Sequence, residues 1–190
     1  MNLTADFFTL FQLAPRFRLD LAELEARYLA LQGEAHPDRF ARADERAQRF
    51  SIQIAARINE GRQILKVPLT RAKYLLHLAG HDLEAERNVC MEPEFLAAQM
   101  EWREALEAAR SGGDRQALER LGQRLKLELQ GRYQTLGALL DDRRDLLSAA
   151  GCIRQLMFLE KLRSDIDDAL ALLEDECQGT EDTPNGLSSA

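Results

Sequence analysis

The chain has 190 residues, 45% of them hydrophobic and 30% charged, with only 11 glycines and 5 prolines. This composition suits a helix-rich globular protein and excludes a disordered or fibrous one. Positions 1–80 hold 12 basic and 9 acidic residues and positions 81–190 hold 13 and 23, so a first part suited to an acidic partner precedes one unsuited to nucleic acid or anionic lipid.

Phe7, Phe8, Leu10, Phe11 and Leu13 make a brief apolar helix that Pro15 interrupts. No basic cluster precedes it, and nowhere does the chain approach the roughly 18 uninterrupted apolar residues of a membrane span, so neither a signal peptide nor a span is expected. Asp20 then caps an amphipathic helix whose stripe is Leu21, Leu24, Tyr28 and Leu31, closing near Gly33. His36-Pro37-Asp38 follows. Pro37 has no N–H and turns His36 away from helical angles, which places the tripeptide in a connection. A second long helix begins at Asp44 with the stripe Ala47, Phe50, Ile54, Ile58 and Leu65, fit to lie antiparallel against the first. Pro68 opens a further short helix through Leu78, which Gly80 ends.

The polar stretch 81–92 reads as a linker. Beyond Pro93 three helical patterns, roughly 93–110, 114–138 and 141–175, are separated by Ser111-Gly112-Gly113 and by Asp141-Asp142, as in a small antiparallel bundle. From 177 onward Gly, Thr, Pro, Asn and Ser predict a disordered tail. The expected fold is all-α: one helical unit over 1–80 and a three-helix unit over 93–176.

Cys90, Cys152 and Cys177 lack the paired spacing of zinc or disulfide frameworks, so reduced thiols and a cytoplasmic setting are expected. His77 and His81 stand four apart with Cys90 beyond, but Gly80 breaks the helix that would align them, and no metal or other cofactor is expected. No nucleophile, oxyanion donor or phosphate loop can be set beside His36, so no catalytic residue is assigned.

A tripeptide alone is a weak signal, and its position sharpens it. The opening Asp6-Phe7-Phe8-Thr9-Leu10-Phe11, then His36-Pro37-Asp38-Arg39-Phe40, Ile58-Asn59 and Pro68-Leu69-Thr70-Arg71-Ala72-Lys73-Tyr74-Leu75-Leu76 together resemble the HscB family, the J-type co-chaperones of iron–sulfur cluster assembly. Glu94-Phe95-Leu96 and Phe158-Leu159-Glu160-Lys161-Leu162-Arg163 are similar to its C-terminal part, so the likeness spans about residues 3–175. It implies an N-terminal J domain followed by a three-helix client-binding domain, and a non-enzymatic activator of a partner's ATPase.

The resemblance implies that His36, Pro37 and Asp38 engage an HscA-type, DnaK-like chaperone. Arg27, Arg39 and Arg42 would supply a modest positive surface beside them. One departure stands out: J proteins usually carry basic residues in the last turn before the loop, where this chain has Gly33 and Glu34. In the second unit Phe95, Trp102, Leu106 and Ala109 form one stripe, while Leu96, Ala97 and Met100 spill onto a neighbouring face with Glu101 and Glu104. Periodicity by itself would let Leu96, Met100 and Phe158 merely thicken a core. The resemblance instead implies that this strip and Phe158 contact the scaffold protein IscU. Other readings are a J protein serving a general DnaK with another client, and a purely structural helical dimer.

Overall fold

The computed structural model describes residues 4–36, 44–81, 83 and 93–181, with side chains through Glu174. All regular structure among them is helical: α1 (Phe7–Leu10), α2 (Leu21–Ala35), α3 (Glu45–Lys66), α4 (Pro68–Leu78), α5 (Pro93–Ser111), α6 (Arg115–Gly137), a π-helical turn (Ala138–Arg143) and α7 (Leu146–Glu181). Spatially the chain divides into two units, 1–88 with 135–153, and 89–134 with 154–190. The bundle's third and second helices thus contribute residues to both.

In the first unit, α1 is nucleated by the Asp6 carboxylate, which accepts from the Thr9 backbone N–H at 2.9 Å and from its hydroxyl. Phe7, Phe8, Leu10 and Phe11 are all buried. They press on α3 at Gly61, where a Cβ would stand 2.6 Å from Phe7 and 2.8 Å from Phe11. Only the missing side chain lets α1 come so close. From α4, the Tyr74 hydroxyl accepts the Phe7 N–H at 2.9 Å, and its ring lies 5.1 Å from that of Phe7.

The pair α2 and α3 is antiparallel. Glu25 meets Arg62 through two bonds of 2.9 Å, and the Tyr28 hydroxyl donates to Asn59 at 3.0 Å. Asp20 and Asp44 cap the two helices, accepting from the backbone of Ala22 and of Ala47. The buried seam of α3 is Ser51, Ile54, Ile58, Gly61 and Leu65. It differs from the expected stripe at two points: Ala47 is only half-buried, and Phe50 is 41% exposed with Ser51 in its place, the Ser51 hydroxyl donating to the Gln48 carbonyl at 2.8 Å. Leu21, at the first position of α2, is likewise exposed. α2 runs to Ala35, two residues past Gly33.

Residues 135–153 complete this unit with buried Leu136, Leu139, Ala149, Ala150 and Ile153. Asp141-Asp142 does not separate two helices, as the sequence suggested. The Asp141 carboxylate accepts the backbone N–H groups of Phe17 at 2.7 Å and Arg18 at 2.8 Å, so it is not free to cap a new helix. The chain passes through the π turn instead, breaks at Arg144 with φ 54, and Asp145 caps α7 by accepting from Ser148.

In the second unit α5 buries Phe95, Trp102, Leu106 and Ala109 as expected. α6 adds Leu118, Leu121, Leu125 and Leu129, and α7 adds Leu156, Leu159, Leu162, Ile166 and Ala169. Gly113, at φ 59, makes the turn after α5, and Asp114 then accepts from Ala117 to start α6. α7 reaches Glu181, past the limit of 176 read from composition; extending a formed helix costs little per residue, and no proline intervenes before Pro184.

Candidate functional site

Two surfaces carry the residues singled out by sequence. The first is the loop end of the α2–α3 pair. His36 is the residue after α2, with φ −59 and ψ 128, and is exposed. Pro37, Asp38, Arg39 and Arg42 lie outside the described residues. Arg27 is described, and it stands apart from His36: nine residues of helix put it about half a turn round α2. Its guanidinium reaches Glu23 at 3.5 Å and Gln12 at 3.3 Å, and Glu23 and Glu34 share its flank. The last turn of α2 holds no basic side chain.

Sequence reasoning missed what α3 presents at this end. Phe50 projects outward, 41% exposed, and Asp44, Glu45, Arg46, Ala47, Arg49, Phe50 and Gln53 line an open groove. Arg49 is paired with Glu45 one turn back. The signal was present in the spacing: counting back from Leu65 by alternating steps of four and three gives Gly61, Ile58, Ile54 and Ser51, leaving Phe50 off the seam.

The second surface is on α5. Leu96, Ala97, Met100, Glu101 and Glu104 are all exposed, Leu96 at 46% and Met100 at 63%. Leu96, Met100 and Glu104 follow one another at single turns. Phe158 of α7 is half-buried. Its ring meets Phe95 edge-on with centroids 5.9 Å apart, and the Arg103 guanidinium lies 5.5 Å from its centre. Phe158 and Glu104 line one groove, together with Leu106, Glu107, Lys161 and Asp165. Met157, beside Phe158 and 40% exposed, adds apolar area that sequence reasoning did not assign.

The electrostatics of both units are those of exposed pairs. Arg62 holds the Glu25 carboxyl below its ordinary value, and Asp165 raises Lys161. Burial pushes the Tyr74 phenol up. Among the described residues no group of three or more His, Cys, Asp or Glu is placed to hold a metal, and no helix is long and apolar enough to cross a membrane. Among the described residues the arrangement offers two contact surfaces.

Comparisons with known proteins bear on both. A family model described as the HSCB C-terminal oligomerisation domain matches residues 91–167. The co-chaperone protein HscB homolog of an Azoarcus species is 49% identical over 174 residues, covering 92% of this chain and 98% of the relative. That of Ralstonia nicotianae is 46% identical over 176 residues, with 92% and 100% covered. Among solved structures, the chaperone HscB from Vibrio cholerae aligns with a TM-score of 0.78 and 36% identity over 89% of this chain and 99% of that one. Human co-chaperone HscB aligns with a TM-score of 0.81 and 25% identity, over 88% and 83%.

Proposed function

The chain belongs to the HscB family of co-chaperones of iron–sulfur cluster assembly, and from that premise we propose that it stimulates ATP hydrolysis by an HscA-type, DnaK-like chaperone and delivers the scaffold protein IscU to it. The observation that carries the reading is the likeness to these relatives over 92% of the chain, which spans both candidate surfaces. His36, Pro37 and Asp38, with Arg39 and Arg42 nearby, would engage the chaperone. Pro37 stiffens the connection, and Asp38 offers a carboxylate for a charge-assisted bond to a partner arginine. Arg27, tied to Glu23 and Gln12, would act less directly.

The client would seat on Leu96, Ala97 and Met100, with Glu101 and Glu104 at the rim and Phe158 as an aromatic anchor. One protein holding both partners raises the local concentration of client at the chaperone, which gives a small adaptor reason to carry two surfaces. The chain itself acts as a regulator and has no catalytic residue in this reading.

Steady-state ATP hydrolysis by the HscA-type chaperone, with and without the scaffold, tests it. Synergistic stimulation is expected from the native chain and its loss from Asp38→Asn. Absence of stimulation by the native chain would remove the proposal.

A second reading is favoured by one observation, the word oligomerisation in the description of the matching family model. On that reading the α5 face pairs with a second copy. Sedimentation over the micromolar range separates the two, because a monomer that still binds scaffold removes the dimer.

A further inference from the structure

Phe95 and Arg103 both meet the ring of Phe158. Phe95 touches it edge-on, with centroids 5.9 Å apart, and the Arg103 guanidinium lies 5.5 Å from its centre. Phe158 is half-buried and Arg103 exposed, so both present area to a molecule resting on this side of the second unit. Along α5, Arg103 continues the line of Leu96 and Met100 at steps of four and three, which keeps the three within about 60° of arc. From Met100 the step to Arg103 turns toward Phe95 and Phe158, whereas the step to Glu104 turns away from them. Arg103, and not Glu104, therefore joins the exposed apolar pair to the aromatic anchor.

The charges around it are committed elsewhere. In the groove that these residues line, Lys161 is bonded to Asp165 at 2.7 Å, and Glu107 accepts the Ser111 hydroxyl at 3.2 Å. On α7, Glu160 is bound by Arg163 at 2.7 Å and accepts the Tyr133 hydroxyl. Among the described residues no carboxylate forms an ion pair with Arg103, although positions 81–190 hold 23 acidic residues. An arginine over an aromatic face uses only the flat of its guanidinium, and the N–H groups in its plane remain able to match the two oxygens of a carboxylate. A client covering Phe158 takes water from those donors. One that brings only apolar groups leaves a charge unpaired, and one that brings a carboxylate escapes that cost.

We propose that Arg103 is a specificity-determining residue of the client surface: it binds a carboxylate that the client carries beside the apolar group seated on Phe158. Glu101 and Glu104 lie on the opposite flank of the Leu96–Met100 line, so charges of opposite sign border the apolar pair and the client seats in one orientation. The inference rests on the client-binding reading above and deepens it.

The IscU-type scaffold is the probe, titrated by calorimetry against the full chain, Arg103→Met, Arg103→Glu and Met100→Ala at about 50 and about 300 mM salt, a range over which exposed charge pairs are strongly screened. Methionine keeps an apolar stem on Phe158 and removes the charge. At the lower salt Arg103→Met should weaken binding about tenfold and flatten the loss of affinity with salt, and Arg103→Glu should weaken it about tenfold more, with helicity and melting temperature unchanged in both. Native affinity in Arg103→Met, or a salt response that it leaves unchanged, shows that the arginine only packs against the ring and overturns the proposal. So does Arg103→Glu binding no more weakly than Arg103→Met. Failure of the client-binding reading itself looks different: no binding by the native chain, or full binding by Met100→Ala.

Discussion

Gly61 and Gly33 illustrate how one residue type serves opposite needs. At Gly61 an added methyl would run into the rings of Phe7 and Phe11, whereas at Gly33 it would meet open space. Gly61→Ala should therefore lower stability by about 1 kcal/mol, overpacking outweighing the gain in helix propensity. Gly33→Ala should raise it by up to about 1 kcal/mol. Chemical denaturation of both variants checks the pair, and a stabilising Gly61→Ala would refute the close packing of α1 on α3. Tyr74→Phe strips the Phe7 N–H of its acceptor and should cost about 1 kcal/mol in the same assay. Sequence alone revealed Phe7, Phe8 and Phe11 as an apolar opening. It did not reveal that Gly61 is where they land, because a missing side chain leaves no mark in a hydrophobic pattern.

Whole elements were legible where caps and breakers coincide with periodicity. Asp20 begins α2, Asp44 begins α3, Pro68 begins α4, and Gly113 turns the chain between α5 and α6. The reading failed at the end of α6 because Asp141 resembles a helix cap, while its actual partners, Phe17 and Arg18, lie 124 and 123 residues away in sequence. That carboxylate is an element-scale device: it receives two backbone donors and so joins the π turn to the segment between α1 and α2. Asp141→Ala leaves both donors without it and should cost about 1–3 kcal/mol of thermal stability. Asp142→Ala, which removes only an exposed pair with Arg18, should have a visibly smaller effect. Equal losses would mean that the backbone contacts contribute little. The loop-end site was legible only as a tripeptide. The exposure of Phe50 depends on how α2 and α3 rotate against each other, which the apolar pattern fixes only to within a residue.

Across the molecule, acid and base should act through different groups. Asp6 is lowered from its ordinary 3.8: burial pushes it up, but hydrogen bonds from Thr9 and Phe8 outweigh that, and Asp145 is lowered by the Ser148 side chain and backbone. A carboxyl lowered in the fold contributes stability above its ordinary value and loses that contribution as pH falls through the folded one. Tyr74 runs the other way. Burial raises it above 10.0, so its contribution is present below that pH and fades as pH rises through the higher folded value. Denaturation midpoints across the pH range should fall at both ends. Asp6→Asn should flatten the acid limb and Tyr74→Phe the alkaline one; unchanged limbs would show that other groups govern them.

The return of residues 135–153 to the first unit also sets a timetable for synthesis. Residues 1–88 emerge long before Leu136, Leu139, Ala149 and Ile153, which are buried in the same unit. At about 5–20 residues per second, the ribosome takes several seconds to supply them. Through that interval the Phe17 and Arg18 backbone lacks the Asp141 carboxylate that holds it, so a protein that assists a folding machine is, while being made, a candidate for such assistance itself.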